Sequence, residues 1–299
     1  MSNSVQFGSG QNTSVAVVTG GGNGIGKALC LELANRGYHV VVADIALGEA
    51  EVTAREIEDT GGAAIAVRCD VTDEREVAAL VETAASTYGP PDLVFSNAGA
   101  GLSKPAVEVT RNDLIWLFGL NVFGMWNVAA RFAEHAIKAE KATRIVLTGS
   151  EHSIGVPFGG SSAYTATKHA ILGVAEAMRA EWEGLPVDIS ILCPGLTQSR
   201  LSEGERHREG WQGKVDPIAA AVMAAGMPAE TVARIAVDGA ERGDFYIFTH
   251  SHVEEYAKKR FDEITTAFAV LNETAPSDRS YDVMQVVGEL MASNPSQFS

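Results

Sequence analysis

Cationic residues are scarce in this 299-residue chain: 23 Lys and Arg stand against 38 Asp and Glu, for a formal charge of −15. That shortage excludes nucleic acid as a partner, because neutralising phosphates takes clustered Lys and Arg. It argues equally against an anionic membrane surface, and leaves solubility as the meaning of the charge. Cysteine is rarer still. Cys30, Cys69 and Cys193 lie far apart with no paired spacing, which fits a reducing, cytoplasmic setting better than a disulfide framework. No apolar run approaches the roughly 18 residues of a membrane span. The opening "MSNSVQFGSGQNTS" lacks the basic-then-apolar form of a secretory signal, so residues 1–13 read as a flexible tail.

What the chain does have is a rhythm. "SVAVVT" (14–19), "HVVVAD" (39–44), "AIAVRCD" (64–70), "DLVFSN" (92–97), "RIVLTG" (144–149), "VDISILC" (187–193) and "DFYIFT" (244–249) read as seven strands. Most are apolar throughout, as strands covered on both faces must be. Amphipathic stretches at 24–36, 73–88, 111–139 and 161–183 separate them; Val77, Leu80, Val81 and Ala84 form one stripe at helical spacing. Such alternation predicts an α/β fold, a Rossmann-type doubly wound, seven-stranded parallel sheet with helices on both faces. One domain is expected over 14–271. Residues 200–228 break the rhythm after a strand end, where a substrate lid belongs. Residues 272–299 read as a polar tail with one short helix.

"VVTGGGNGIGKAL" places glycines after the first strand and at the start of the first helix. Backbone there can approach a pyrophosphate, and helix N-terminal amides face its charge. Gly20, Asn23, Gly24, Ile25 and Gly26 are the loop's cofactor-binding candidates. A Walker loop is excluded, because no Gly-Lys-Ser/Thr follows. Asp44 ends the second strand about twenty residues on, placed to accept hydrogen bonds from adenosine ribose hydroxyls and to repel a 2′-phosphate. With no Arg or Lys in the loop or directly after Asp44, the expected cofactor is NAD rather than NADP. The alternative for Asp44 is a helix N-cap.

The spacing Gly20-x-x-x-Gly24-x-Gly26, with Tyr164 and Lys168 four apart, resembles the single-domain short-chain dehydrogenase/reductases. "CDVTD" (69–73), "SNAG" (96–99), "LNVFG" (120–124) and "CPG" (193–195) match in the family's order over residues 14–250. The resemblance implies that Asp70 and Val71 contact the adenine. It implies that Asn97, Ala98 and Gly99 lie along the cofactor, and that Asn121 holds a water in a proton relay. Pro194 and Gly195 match the turn beside the nicotinamide, with Thr197 and Ser199 near its carboxamide. Family members are usually dimers or tetramers built through the helices at 111–139 and 161–183, so a homo-oligomer is expected.

Moving a hydride to or from a nicotinamide requires a group that moves the alcohol's proton. A free phenol has a pKa near 10, too high for a base at neutral pH, but a nearby ammonium and an oxidised nicotinamide favour the phenolate. At helical i, i+4 spacing Tyr164 and Lys168 face one site. Tyr164 is therefore the expected general acid/base. Lys168 lowers its pKa and, by resemblance, binds the nicotinamide ribose.

The family's serine usually stands thirteen residues before the tyrosine. Here that residue is Glu151, which when ionised has no proton to donate; Ser150 lies fourteen before and Ser153 eleven. A one-residue insertion in "SEHSIG" leaves Ser150 at the strand end as the oxygen-steadying donor, with Ser153 the alternative. Ser161 and Ser162 look like helix N-caps.

Two histidine groups invite other chemistry. His152 lacks the Gly-x-Ser-x-Gly elbow of a hydrolase and reads as a pocket or surface residue. His250-x-His252 lacks a third well-spaced ligand, so no metal is expected. The reading is an NAD-dependent alcohol dehydrogenase or carbonyl reductase; the alternative is a catalytically silent NAD-binding sensor or scaffold. A looser resemblance of "FYIFTHSHVEEYAKKRFDEITTAF" and the long lid to bacterial dehydrogenases of aryl-ether benzylic alcohols implies a bulky hydrophobic substrate, aryl or steroid-like. Leu102, Val156, Phe158, Trp211 and Met223 are the pocket candidates.

Overall fold

The computed structural model describes residues 13–156, 159–208, 210, 211, 217–274 and 281–293. The anticipated tail over residues 1–12 and the pocket candidate Phe158 lie outside the described residues. Seven parallel strands form one sheet: β1 (Val15–Thr19), β2 (His39–Asp44), β3 (Ala64–Arg68), β4 (Leu93–Ser96), β5 (Thr143–Thr148), β6 (Val187–Cys193) and β7 (Tyr246–Phe248). Their order is β3-β2-β1-β4-β5-β6-β7. Central strands are apolar on both faces because helices cover both; β1, β4 and β5 are buried at every position. β7 is shorter than expected. Only Ile191–Cys193 of β6 pair with it, and Tyr246 and Phe248 remain exposed at the edge.

Helices α1 (Gly24–Asn35), α2 (Leu47–Asp59) and α3 (Glu74–Tyr88) connect the first four strands. A 3-10 turn (Ala106–Glu108) leads to α4 (Arg111–Phe118), a π-helical turn (Gly119–Gly124) and α5 (Met125–Lys138). Together Arg111–Lys138 make a 28-residue rod long and apolar enough to cross a membrane, which counting unbroken apolar residues overlooked. Its apolar face is a core face: Met125, Val128, Ala129, Phe132, Ala133 and Ala136 are buried, with α3, β4 and β5 packed against the helix.

The short α6 (Glu151–Ile154) and long α7 (Ser162–Glu181) follow β5, and α9 (Ala229–Arg242) packs beside α1 after the lid. Ser161 takes the N-cap position of α7, but its hydroxyl makes no capping bond, and Ser162 is the first helical residue. The lid contains a 3-10 stretch (Leu201–His207) and α8 (Pro217–Ala224). Its base is closed by backbone bonds from Met227 N to Leu196 O and from Gln198 N to Met227 O, both 2.9 Å.

The chain divides into two compact units, Met1–Tyr256 and Ala257–Ser299. The second holds most of α10 (Val253–Thr274) and all of α11 (Val283–Ser293). Residues 257–271, grouped with the sheet on sequence grounds, therefore fall in the second unit, because they continue a helix that outruns the last strand.

Candidate active site

In an open parallel sheet, ligands bind beyond the carboxyl ends of the strands where the strand order reverses. Here that point lies between β1 and β4, and the residues after both strands meet there. Thr19 Oγ1 accepts from Asn97 N at 3.0 Å and Ala98 N at 3.1 Å, while Asn97 Nδ2 donates to Thr19 O at 3.1 Å. Thr148 Oγ1, at the end of β5, donates to Asn97 Oδ1 at 3.3 Å. Neither threonine was singled out from the sequence. The repeated ending of "VVTG" and "VLTG" was the available signal.

Gly20 and Gly24 have φ of +66° and +53°, a region where a side chain is strained. α1 opens at Asn23 without a side-chain cap, since the Asn23 amide donates instead to Glu49 Oε2 at 3.2 Å. The first turn thus offers uncapped amides beside a side-chain-free loop, which fits a pyrophosphate. Asp44 is buried, with Oδ2 accepting from Gly22 N and Oδ1 from Ala46 N, both at 2.9 Å. It ties the loop to the end of β2, while the N-cap of α2 is Ala46. Asp70 Oδ1 accepts from Thr72, and Val71 is packed under the π-helical turn, 2.7 Å from where a Cβ on Gly124 would stand.

Tyr164 and Lys168 project from α7, 9% and 3% exposed respectively. Ser150, just after β5, is near enough for its side chain to lower the pKa of the Tyr164 phenol, and Lys168 Nζ donates to Thr148 O at 2.8 Å. Lys168 Nζ stands 5.6 Å from the centre of the Tyr164 ring. Asn121, on the π-helical turn, is fully buried. Its amide clasps Ala100 through N and O, both at 2.9 Å, and donates to Thr167 Oγ1 at 3.2 Å. Ser150, Tyr164, Lys168 and Asn121 are thus drawn toward one strand-end crevice from β5, α7 and the π-helical turn.

In the protein alone the Tyr164 phenol is pushed up to about 12: burial dominates and the Glu151 carboxylate adds to it, against a lowering from Ser150. The expected lowering includes the charge of an oxidised nicotinamide. Burial brings Lys168 down to about 8, so its ammonium is itself destabilised. In both groups desolvation is the largest cause.

Ser150 and Ser153 share a capping box on α6. Ser150 Oγ accepts from His152 N at 3.2 Å, and Ser153 Oγ accepts from Ser150 N at 3.1 Å. Glu151 pairs with His252 Nε2 at 2.9 Å. His152, expected in a pocket or on the surface, is buried edge-on to Tyr164 with ring centres 5.3 Å apart. Burial drops its pKa to about 4, so it stands neutral, with Nδ1 on Thr165 Oγ1 at 2.8 Å. His250 Nδ1 accepts from Gly195 N at 3.1 Å and Nε2 meets Leu196 O at 3.0 Å. It therefore buttresses the Pro194–Gly195 turn, a role invisible in a sequence where the two lie 55 residues apart. Thr197 is buried and donates to Gly195 O at 2.9 Å. Ser199, expected beside Thr197 near the carboxamide, lies against Gly24 and Met223.

Beside Tyr164 an apolar cluster joins Leu102, Leu117 and Ala163, with Val109, Trp116 and the lid residue Leu201 packed against it. Of the anticipated pocket residues that are described, only Leu102 belongs to this wall. Val156 is 64% exposed, Trp211 39% exposed, and Met223 touches Ser199. The lid spans the crevice: Arg200 and Arg206 pair with Glu49 of α2 at 3.0 and 3.4 Å, and Arg208 with Asp113 of α4 at 2.7 Å. Arg208 also lies over the Trp116 ring at 5.1 Å.

Comparison with known proteins agrees with this geometry. Residues 14–210 match the short chain dehydrogenase family. The chain belongs to that family. As a short-chain dehydrogenase it is an oxidoreductase of alcohols and ketones, with relatives that name both directions of the reaction. It is 32% identical over 254 residues to the 1-deoxy-11-beta-hydroxypentalenate dehydrogenase of Streptomyces exfoliatus, covering 84% of this chain and 88% of the relative. A short chain dehydrogenase/reductase from Burkholderia phymatum, solved in complex with NAD, superposes with a TM-score of 0.79 at 28% identity, over 89% of this chain and 97% of that one. The apo form of LigO from Sphingobium sp. strain SYK-6 superposes at 0.76 with 26% identity, over 94% and 97%.

Proposed function

We propose that the chain interconverts a secondary alcohol and a ketone with NAD as coenzyme, using Tyr164 as the general acid/base. The observation that carries this reading is the burial of Tyr164 and Lys168 together on α7 at the strand ends, with Lys168 Nζ 5.6 Å from the centre of the Tyr164 ring and held to Thr148 O at 2.8 Å, and with Ser150 close enough to act on the phenol. A nicotinamide coenzyme, when bound here, would supply the hydride acceptor or donor for the substrate carbon. Tyr164 Oη takes the alcohol's hydroxyl proton in oxidation and returns it in reduction. Ser150 Oγ donates to the substrate oxygen as charge develops on it. Lys168 would hold the coenzyme's ribose hydroxyls, and an ammonium fixed near a phenol favours the phenolate. The buried Asn121 fixes Ala100 and Thr167, and so braces the floor against which Tyr164 is set; a water held there would complete the proton path.

NAD is favoured over NADP by the buried Asp44 beside Gly22, whose charge repels a 2′-phosphate. The related NAD complex from Burkholderia phymatum supports the same choice. The apolar wall of Leu102, Val109, Trp116, Leu117 and Leu201 favours a bulky hydrophobic alcohol, aryl or steroid-like. Trp126, Phe123 and Ile137 stand exposed on the rod that includes α5, consistent with a homo-oligomer built through these helices. Free buried Cys30, Cys69 and Cys193 suit a reducing compartment.

The test is a coenzyme-reduction screen of aryl, steroid and aliphatic secondary alcohols with NAD and NADP. NAD reduction fastest with the bulky aryl or steroid substrates is expected. No reduction with any alcohol, and no oxidation with the matching ketones, would remove the proposal. Light scattering on the same preparation should give at least a dimer mass.

Ser150→Ala against Ser153→Ala separates the two serines. Both serines belong to the α6 capping box, but it is Ser150 that is near enough to act on the Tyr164 phenol. Losing a preorganised donor costs about 10²–10³ in kcat, expected for Ser150→Ala alone. Ser153→Ala should cost about 1 kcal/mol of stability as a lost cap. The reverse ranking in kcat would transfer the role to Ser153.

A further inference from the structure

The lid brings cations to a place where the neighbouring sequence shows only acids. Glu49, in the first turn of α2, stands directly beside the phosphate loop: a Cβ built on Gly22 would lie 2.7 Å from Glu49 Cβ and 2.9 Å from Asp44 Oδ2. The Glu49 carboxylate accepts from Asn23 Nδ2 at 3.2 Å, Arg200 Nη1 at 3.0 Å and Arg206 Nη2 at 3.4 Å. The Arg206 side chain is only 13% exposed, and its Nε is buried with no hydrogen-bond partner among the described residues. His207, next along the lid, is close enough to sense the charge of both Asp44 and Glu49. Two guanidiniums from a segment some 150 residues away therefore converge on Glu49, beside the carboxylate of Asp44 that ends β2.

This matters for which coenzyme enters. Guanidinium forks are strong, geometrically specific phosphate ligands. Left free, Arg200 and Arg206 would form an anion site at the adenosine end and offset the repulsion that Asp44 exerts. Bound to Glu49, and in the case of Arg200 also through Nε to Glu203 at 2.9 Å, they are neutralised; Arg206 is therefore the cation that Glu49 chiefly withholds.

We propose that Glu49 is a coenzyme-specificity residue: by engaging Arg200 and Arg206 it withholds these lid cations from a 2′-phosphate and so preserves the discrimination begun by Asp44. The inference rests on the NAD reading above and deepens it. Glu49 acts twice in one direction, since its own charge also repels the phosphate. Removing the arginines separates the two effects.

The experiment is calorimetric titration of the full chain with adenosine 2′,5′-bisphosphate and with adenosine 5′-monophosphate, which needs no turnover. In the wild-type chain the monophosphate should bind more tightly. Glu49→Gln should shift the ratio of the two dissociation constants toward the bisphosphate by about tenfold, as a charge-assisted pair becomes available, and Glu49→Asp should hold the wild-type ratio. In Glu49→Gln/Arg200→Gln/Arg206→Gln most of that shift should vanish. A role confined to holding the lid in place would move both ligands together. An unchanged ratio in Glu49→Gln, or a shift that persists without the arginines, overturns this inference alone. A wild-type chain that already prefers the bisphosphate overturns the NAD reading and this inference with it.

Discussion

Tyr164→Phe is expected to lower kcat for alcohol oxidation by about 10²–10⁴-fold, the range attached to a positioned proton-transfer group. In free energy that is about 3–5 kcal/mol of transition-state stabilisation at 1.36 kcal/mol per decade. The structural cost is small by comparison. The ring is buried and stays the same size, so the fold loses at most one hydroxyl interaction, worth about 1 kcal/mol net. Coenzyme affinity, measured by titration, should therefore stay within about threefold of wild type while turnover collapses. A variant that still turns over within tenfold of the parent chain would take Tyr164 out of the mechanism. The raised phenol makes the prediction sharper: because burial holds it near 12, the phenolate is rare near neutrality, and wild-type kcat/KM for oxidation should climb with pH from 7 to 10.

Gly26→Ala is the second large effect, and it acts on the scaffold. A Cβ at this position would fall inside the contact distance of the Gly20 carbonyl oxygen and 2.7 Å from Asn97 Nδ2. Neither neighbour can give way cheaply. Gly20 is backbone in a left-handed turn, and the Asn97 amide is held to Thr19. Overpacking of this kind costs about 1–3 kcal/mol or more. For a domain of this size a shift in melting temperature of roughly 5–10 °C follows. The displaced loop is the one proposed to receive the pyrophosphate, so coenzyme affinity should fall by more than about tenfold as well. Melting within 1 °C of wild type with intact coenzyme binding would mean that the close approach of Gly26 to Gly20 is not needed.

Much of the molecule was legible along the chain because its signals are local. Seven strands and their parallel order follow from apolar runs separated by helix-length connections, each a matter of neighbouring residues. The phosphate loop, Asp44 and the Tyr164–Lys168 pair likewise depend on spacings shorter than one strand–helix unit. Strand ends shifted by a residue or two, as at Tyr246–Phe248, because pairing with a neighbour, not composition, ends a strand.

What spacing left open was decided by contacts between distant segments. The Thr19–Asn97–Thr148 knot, His250 beneath Gly195, and the Arg200, Arg206 and Arg208 anchors of the lid each join elements many residues apart. The sign of the Tyr164 shift belongs here too. The pairing of phenol and ammonium is written in the i, i+4 spacing, but the depth to which α7 buries them is set by every element packed around it. Desolvation is a property of that surrounding volume, and no short stretch of chain encodes it.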